Sequence, residues 1–493
     1  MKLDIAMATA ELAPYAKVGG LGDVIAALAK ELDRQGHYVT VFLPRYRSVL
    51  AKEPRLQLTR VGQAEVSLGG RREWASYDVA LLPETGVRIV LVGHEGYFGR
   101  DGVYNDARSG RDFPDNDERF IFFCKAVLEG LEILESSPDV LHLNDHQTAV
   151  AAPMLRESLR GRESARSIGL VFAIHNLGYQ GIYPHDTIRL TGLDPKLAEP
   201  MGPLEFYGHL NLMKAGIIYA DRVATVSPRY AAEIQSSAEH GRGLEGVLRA
   251  RGKDLVGILN GVDVEMWDPT TDRLLPANYS SNDLAGKKEN KTRLLESAEL
   301  PVEPDVPIIG MISRLVEQKG FDLLEAAAHE LLQERMKLIV LGKGERRYEE
   351  LMRRLRTRYR QKFSVSLEFN DPMAHLIEAG SDFFLMPSRY EPCGLNQMYS
   401  LRYGTIPIVR ATGGLADTVR EYDPETGRGN GFVFDEYSAD AMLAAVRRGL
   451  AAHQKKRAWK KLVSEVMQID HSWGHAAQQY VELYREVRAV RRG

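Results

Sequence analysis

Short runs of β-branched and other apolar residues alternate with helix-patterned segments along most of this chain, in two successive rounds. Such alternation is typical of α/β folds with parallel sheets. The first round predicts six strands: Leu3–Ala8, Val39–Leu43, Val87–Val92, Val140–Leu143, Leu170–Ile174 and Val223–Val226. The second round predicts five more: Ile308–Ile312, Leu338–Leu341, Val365–Phe369, Phe383–Met386 and Ile406–Val409.

A polar stretch from Asp268 to Lys291 separates the two rounds and is interpreted as a boundary with a connecting segment. Because 493 residues exceed what one ordinary core accommodates, two Rossmann-like, doubly wound domains facing across a deep cleft are expected. We place the first at 1–262 and the second at 263–470. Residues 471–493 include an amphipathic helix, which we expect to pack back on the first domain. Ligands of such sheets bind beyond the carboxyl ends of the strands.

The composition argues against several classes of partner and location. A net charge of −3 gives no electrostatic footprint for a nucleic acid. The two cysteines, Cys124 and Cys393, predict no disulfide framework. No apolar run approaches the roughly 18 residues of a spanning helix, and Asp4 interrupts the apolar start of the chain. We therefore expect a cytoplasmic protein with neither nucleic-acid nor membrane partners; the oligomeric state stays open.

A glycine-rich turn, Lys17-Val18-Gly19-Gly20-Leu21-Gly22-Asp23-Val24, joins the first predicted strand to a helix pattern. A helix N-terminus offers unpaired N–H groups to an anion, and glycines let a ligand approach the backbone. Its spacing matches neither the dinucleotide fingerprint nor the P-loop. An ordinary tight connection explains such a turn about as well, but the charge of Lys17 favours phosphate binding.

A second group of candidates follows the first strand of the second round. Arg314 and Lys319, five positions apart at the mouth of this strand, could both reach a diphosphate. Two exposed cations on a loop are the alternative. The glycine turn Gly342-Lys343-Gly344 after the next strand supports a phosphate-facing edge.

Two further turns carry a mixture of acceptors and donors suited to sugar hydroxyls. Glu391 lies just before the N–H groups of a helix start in Pro387–Leu395, although a carboxylate there also favours the helix dipole. In Thr412-Gly413-Gly414 another glycine pair opens a helix. Three such turns together with two cations are difficult to explain by structure alone.

Taken together, the chain resembles the bacterial glycogen synthases and plant starch synthases, retaining glucosyltransferases of the GT-B type. The resembling segments span nearly the whole chain: Lys17–Val24, His175–Leu177, Asn260–Asp263, Ser313–Gly320, Pro387–Leu395 and Thr412–Val419. The resemblance implies transfer of glucose from ADP-glucose to the non-reducing end of an α-1,4-glucan, glycogen or a maltooligosaccharide. With two cations available for the diphosphate, we expect no metal ion and no other cofactor.

Carried over by residue, the resemblance implies that Arg314 and Lys319 hold the donor diphosphate and stabilise its departure. It implies that Glu391 binds glucose hydroxyls and that His175 lies beside the reacting glucose. The other implied donor or sugar contacts are Lys17, Gly19, Gly20, Asp23, Tyr97, Asp145, Asn260, Cys393, Gly394, Leu395, Thr412, Gly413 and Gly414. Phe369 corresponds to an aromatic position near the adenine ring, with a core aromatic as an equally good interpretation.

The chain departs from related transferases at two places. Many retaining relatives carry a second glutamate eight positions after the first, where this chain has Tyr399. The frequent Asp-Trp-His sequence is Asp145-His146-Gln147 here. Without a second carboxylate we favour front-face transfer, in which the leaving phosphate helps to deprotonate the incoming 4-hydroxyl.

Two other functions are compatible with parts of the pattern. Phosphate-binding turns do not reveal the base, so a UDP-glucose-dependent glucan synthase is one alternative. A catalytically silent glucan-binding protein is the other. It is disfavoured because a binding protein has no need of leaving-group cations.

Overall fold

Two α/β units make up the chain in a computed structural model that describes residues 1–51, 56–158, 163–368 and 370–492. The first unit contains Met1–Gly261 together with the segment that begins at Trp473. The second unit is Val262–Ser472. Phe369, the predicted adenine neighbour, lies outside the described residues.

The first unit is built on a nine-stranded sheet and a small three-stranded sheet. Its strands are β1 (Asp4–Ala8), β2 (Tyr38–Pro44), β3 (Thr59–Leu68), β4 (Arg71–Leu81), β5 (Arg88–Gly93), β6 (Val140–Asn144), β7 (Gly169–Ile174), β8 (Ile182–Pro184), β9 (Glu205–Phe206), β10 (His209–Asn211), β11 (Arg222–Thr225) and β12 (Leu255–Gly257). The large sheet has the order β12-β11-β7-β6-β1-β2-β5-β4-β3, and β8-β10-β9 form the small one. In the large sheet β4 pairs antiparallel with both β3 and β5, and the other neighbouring strands described pair in parallel.

All six strands predicted for the first half are present, with β1 paired in parallel to β2 and β6. The hairpin of β3 and β4 and the short strands β8, β9, β10 and β12 were not predicted. Along most of β3 exposed residues alternate with half-buried or buried ones, and β4 has exposed residues towards both of its ends. Strands with one solvated face lack the continuous apolar run that marks a buried parallel strand.

Helices flank the sheets of the first unit. Its α-helices are Gly20–Arg34, Arg47–Leu50, Glu95–Phe98, Asn116–Ile133, His146–Ala149, Ala151–Pro153, Glu163–Ser167, Ile188–Thr191, Leu212–Tyr219, Pro228–Ser236, Ala238–Gly241, Glu245–Arg251 and Trp473–Arg492. After β6 the chain forms two short helices and a π-helical turn, Met154–Ser158, and not one continuous helix. Pro153 has no N–H to donate within a continuous helix, which accounts for the interruption.

The last helix, Trp473–Arg492, packs on the strands of the first unit. The Tyr484 hydroxyl lies 2.9 Å from Nδ1 of His142 in β6. Near its end, Arg491 Nε donates to Asp221 at 2.9 Å and Arg488 Nε donates to Asp139 at 2.7 Å. Aromatic burial and ion pairing therefore hold the chain terminus on this unit.

The second unit contains a six-stranded, fully parallel sheet of order β15-β14-β13-β16-β17-β18. Its strands are β13 (Ile308–Ile312), β14 (Lys337–Leu341), β15 (Phe363–Ser366), β16 (Phe383–Met386), β17 (Ile406–Arg410) and β18 (Phe432–Phe434). The strand predicted at 365–369 begins earlier, and β18 was not predicted because its apolar run is short. The α-helices are Ala285–Ser297, Phe321–Leu331, Arg346–Arg358, Asp371–Gly380, Asn396–Arg402, Gly413–Thr418, Ala439–Gln454 and Lys456–Val466.

The helix Ala285–Ser297 begins inside the stretch that the sequence assigned to a connector. Only four of its residues are buried. Its sequence is therefore mostly polar and lacks the apolar periodicity that would predict a helix. No helix in the described part of the chain is long and apolar enough to cross a membrane.

Candidate active site

The predicted phosphate turn joins β1 to the helix Gly20–Arg34, with Gly19 at the N-cap position. Lys17 Nζ lies 2.9 Å from Asp23 Oδ2, so these two candidates form an ion pair. Half of the Lys17 side chain is exposed. A Cβ at Gly22 would lie 3.3 Å from backbone atoms of Ala13 and Ala16, whereas one at Gly19 would meet nothing within 4 Å. Close packing therefore accounts for Gly22, while the space beside Gly19 stays open to a ligand.

The carboxylate of Glu11 occupies two N–H groups of this turn. The sequence did not indicate this contact. Glu11 Oε2 accepts hydrogen bonds from the N–H groups of Val18 at 2.7 Å and Gly19 at 2.9 Å. Its other oxygen accepts from the Tyr104 hydroxyl at 2.8 Å. Two of the N–H groups expected to meet an anion therefore already donate to Glu11. A single glutamate after a strand gives no sequence signal of this role.

His175 directly follows β7 and is held by residues that end β6. Its backbone N–H donates to Asp145 Oδ1 at 2.8 Å, and its Nε2 lies 2.9 Å from Asn144 Oδ1. The Asn144 amide nitrogen donates to the carbonyl oxygens of Ala8 and His142, which leaves Oδ1 to accept from His175. This assigns the proton of the neutral imidazole to Nε2 and the lone pair to Nδ1.

Burial lowers the pKa of His175 to about 4, because removal from water disfavours the imidazolium. Burial also raises the pKa of Asp145 to about 7, with a smaller contribution from the negative charge of Glu11. Asp145 has a φ of 55°, in the left-handed region. Backbone strain of this type is common at functional sites, where surrounding contacts enforce it.

Tyr97 and Asn260 occupy different environments. The Tyr97 ring is 6% exposed and stacks on His94 with 4.1 Å between centroids. Its hydroxyl donates to Glu118. Asn260 is buried, and its Oδ1 has no hydrogen-bond partner among the described residues. Such an atom is costly to bury, so it is a candidate for a ligand contact.

In the second unit, the structure brings Lys319 and Glu391 into direct contact. Lys319 Nζ lies 2.5 Å from Glu391 Oε2, and the Ser388 hydroxyl donates to the same oxygen at 3.0 Å. Glu391 is nearly buried, and Lys319 keeps a fifth of its side chain exposed. A Cβ at Gly320, whose φ is 78°, would overlap the carbonyl of Pro387. This glycine therefore permits the close approach of the two segments.

Other glycines let the remaining loops pack together. A Cβ at Gly413 would overlap the Glu391 carbonyl, and one at Gly414 would overlap the Cys393 carbonyl. The N–H of Gly414 donates to the Glu391 carbonyl at 3.2 Å. The Thr412–Gly414 turn is therefore assembled against the Glu391 loop.

The loop of Arg314 is fixed in a similar manner. Cβ atoms at Gly342 and Gly344 would overlap the carbonyls of Ser313 and Leu315. The turn that the sequence assigned to a phosphate-facing edge thus packs directly on this loop. Arg314 itself is exposed.

Tyr399 fills the position at which many retaining relatives carry a second glutamate. Its ring lies parallel to that of Trp267, with 4.0 Å between centroids. His375 stacks on the opposite face of Trp267 at 3.9 Å. An aromatic stack therefore occupies the place of a carboxylate. Within the described part of the chain no group of three or more His, Cys, Asp or Glu residues is arranged to hold a metal ion.

Residues 4–250 match the family model of the starch synthase catalytic domain, and residues 293–464 match that of glycosyl transferases group 1. The chain is 45% identical over 490 residues to the glycogen synthase of Koribacter versatilis (strain Ellin345), covering 99% of both chains. The chain belongs to the glycogen synthase and starch synthase family. The glycogen synthase of Anaeromyxobacter sp. (strain Fw109-5) is also 45% identical, over 495 residues, with 99% of this chain and 100% of the relative covered.

Solved structures agree with this family membership. The catalytic domain of starch synthase IV from Arabidopsis thaliana, bound to ADP and acarbose, is similar with a TM-score of 0.89 and 33% identity. The match covers 99% of this chain and 100% of that one. Sucrose-phosphate synthase from Thermosynechococcus elongatus, at 18% identity and a TM-score of 0.61, shares the fold. The expected GT-B fold and the expected glucosyltransferase activity of glycogen synthesis are thereby confirmed.

Proposed function

We propose that this member of the glycogen synthase family uses ADP-glucose as its donor and an α-1,4-glucan as its acceptor. The second unit would bind the donor, and the first would supply the residues on the acceptor side. The observation that carries this assignment is the contact of Lys319 with the nearly buried Glu391, beside the packed loop of Arg314. The similar starch synthase IV domain was solved with ADP and acarbose.

The cations act on the leaving group. As the glycosidic bond breaks, negative charge grows on the diphosphate while the sugar becomes oxocarbenium-like. Arg314 offers a planar fork to phosphate oxygens, and Lys319 offers a compact charge. Charges fixed in advance by the protein are worth most at that moment, because they need no reorganisation. Lys319 would keep its ammonium between the diphosphate and Glu391.

Several groups would contact the glucose. Glu391 would accept hydrogen bonds from its hydroxyls, with the N–H groups of Cys393, Gly394 and Leu395 and of Thr412 and Gly413 as nearby donors. His175 would act as a neutral imidazole, because its pKa of about 4 keeps it uncharged near neutral pH. With Nε2–H directed at Asn144, its Nδ1 lone pair would accept from a sugar hydroxyl.

The remaining candidates would complete donor and sugar contacts. Lys17 would meet the diphosphate and the glucose through its ammonium group. Gly19, whose N–H is held by Glu11, and Gly20 would let the donor approach the backbone closely because they lack a side chain. Asp23 would hold Lys17 through their ion pair. The other proposed polar contacts are Tyr97, Asp145 and Asn260.

Retention of configuration would proceed by front-face transfer. An aromatic stack stands at Tyr399, so a double displacement through a carboxylate at that position has no nucleophile. The departing phosphate would take the proton of the acceptor 4-hydroxyl.

A donor competition assay tests the proposal. Radiolabelled ADP-glucose and UDP-glucose are supplied separately and together with a glycogen primer, and incorporation into polymer is measured. We expect kcat/KM to be higher for ADP-glucose. A preference for UDP-glucose would refute the donor assignment, and no incorporation from either would indicate a silent glucan-binding protein.

A further inference from the structure

We infer that Glu11 is a positioning residue, which holds the Lys17–Gly20 turn in the shape that meets the donor. The inference rests on the proposed function, because it assigns the turn to donor binding. It adds a residue that belongs to neither the strand nor the glycine motif. Its basis is the set of hydrogen bonds around one buried carboxylate.

Glu11 is 4% exposed, yet both of its carboxylate oxygens are hydrogen-bonded. One accepts from the N–H groups of Val18 and Gly19, and the other from the Tyr104 hydroxyl. Its own N–H donates to the Thr9 hydroxyl at 3.2 Å. A buried carboxylate is tolerated only with such partners, so the three bonds to the side chain form a satisfied unit.

The turn itself has few other constraints. Residues 17 to 20 are all exposed, and Val18 is 48% exposed although it is apolar. Burial in the core therefore does not fix these four residues, and besides Glu11 the ends of the turn are held by the ion pair of Lys17 with Asp23 and by the helix start at Gly20. Two consecutive glycines make the backbone unusually free to move. The bonds to Glu11 thus supply the anchor that places Lys17 and the glycine backbone.

The occupied oxygens also indicate how Glu11 acts. Its carboxylate is turned to backbone N–H groups and to a phenol, so it works through the turn and not on the substrate. An oxygen acceptor is what this role requires, and a negative charge is not. Glutamine at this position retains an oxygen for the two N–H groups and can donate its amide to Tyr104.

Steady-state kinetics with ADP-glucose compare Glu11→Ala, Glu11→Gln and Tyr104→Phe. Loss of one net hydrogen bond of about 1.4 kcal/mol corresponds to about a tenfold effect, so we expect Glu11→Ala to raise KM for ADP-glucose by at least about tenfold. The change in kcat should be smaller. Glu11→Gln should restore KM to within about threefold of the wild type, and Tyr104→Phe, which leaves both turn contacts intact, should do the same.

Hydrogen exchange of the unliganded wild-type enzyme provides a readout that needs no donor. The amides of Val18 and Gly19 should exchange slowly despite their exposure, and Glu11→Ala should remove that protection. Fast exchange in the wild type would overturn the inference, even if Glu11→Ala does not fold. So would an unchanged KM in Glu11→Ala, or equal losses in Glu11→Gln and Glu11→Ala. A wild type that is inactive with ADP-glucose but protected at these amides would refute the proposed donor alone.

Discussion

At the scale of single residues, the positive charge of Lys319 and the negative charge of Glu391 compensate each other. Glu391 is almost removed from water, and its charge is compensated by an ammonium 2.5 Å away and by the Ser388 hydroxyl. A diphosphate beside Lys319 would share this ammonium. Removal of Lys319 therefore affects both the leaving group and the carboxylate that faces the sugar.

We predict that Lys319→Ala lowers kcat by about 10²-fold or more, as expected when one preorganised charge-stabilising group is lost. Lys288→Ala, which removes an exposed lysine on another helix of the same unit, is the matched control and should retain wild-type turnover. Initial rates with ADP-glucose and glycogen measure both variants below their melting temperatures. Near-normal turnover in Lys319→Ala would exclude this residue from leaving-group stabilisation, and the same test applies to Arg314→Ala.

Asp145 makes stability depend on pH. Its pKa rises from 3.8 to about 7 in the folded protein, mainly through burial. Between these values the folded state keeps a proton that the unfolded chain has released, so stability falls as pH rises through this window. The loss is complete above the folded pKa. Asp145→Asn carries no such proton and retains an oxygen for the N–H of His175.

We therefore predict that Asp145→Asn gains melting temperature relative to the wild type as pH rises from about 4 to about 7, with a constant difference at higher pH. Thermal melts in a pH series measure this difference directly. Asp106→Asn is the control, because the hydrogen bond from the Ser109 N–H lowers the pKa of this half-buried loop aspartate, and it should show no gain over the same range. Parallel curves for Asp145→Asn and the wild type would mean that Asp145 is already ionised at low pH in the folded state.

Some of these residues could be recognised from the sequence and others could not. Lys319 and Glu391 belong to local motifs beside strand ends, so spacing was enough to select them. Asn144 acts through His175, which is distant in sequence, and Glu11 acts through the N–H groups of Val18 and Gly19 in the folded turn. No local pattern encodes such contacts, because they depend on how strands order themselves in the sheet.

At the scale of elements, glycines determine how closely the loops of the second unit can pack. The Thr412–Gly414 turn touches the carbonyls of Glu391 and Cys393 at positions where a Cβ would overlap them. From the sequence alone, these glycines are expected to let a ligand approach the backbone. The structure adds that they are required for contact between two loops, which a single sequence cannot distinguish from ligand binding.

Gly414→Ala should lower kcat/KM by at least about tenfold, because the added Cβ must displace the backbone of Cys393, and small misplacements of a site can cost about 10²-fold. Gly246→Ala is the matched control, since a Cβ there meets nothing within 4 Å. It lies in a helix and should keep full activity with equal or slightly higher stability. Kinetics and thermal melts of the two variants test this, and an active Gly414→Ala would show that the loop tolerates displacement.

The elements were predictable to different degrees for a physical reason. Buried parallel strands such as β1 and β13 are continuous apolar runs, so their positions could be read from the sequence. The β3–β4 hairpin has a partly solvated face, and the short strand β18 has only three residues. These strands are stabilised by pairing with neighbouring strands of the sheet. Their own residues therefore carry only a weak sequence pattern for a strand.

At the scale of the whole molecule, the chain returns to its first unit after completing the second. In the described clusters, the buried hydrophobic core of the second unit consists only of residues between 275 and 467. The first unit, in contrast, buries Tyr480, Tyr484 and Val487 from the last helix. The stability of the first unit therefore depends on residues at the far end of the sequence.

This dependence predicts where a C-terminal substitution acts. Tyr484 is fully buried, and its hydroxyl pairs with His142, whose Nε2 has no partner among the described residues. Tyr484→Ala should cost about 3–5 kcal/mol, as for other large buried aromatics, and Tyr484→Phe about 1–3 kcal/mol, because His142 loses its remaining partner. Val490→Ala, at a 62% exposed position of the same helix, is the control and should change little. Hydrogen exchange should show the loss of protection in β6 and β7, while β13 and β14 keep theirs. Equal loss in both units would mean that they unfold as one cooperative block, and the last helix would then stabilise the whole chain and not its first unit alone.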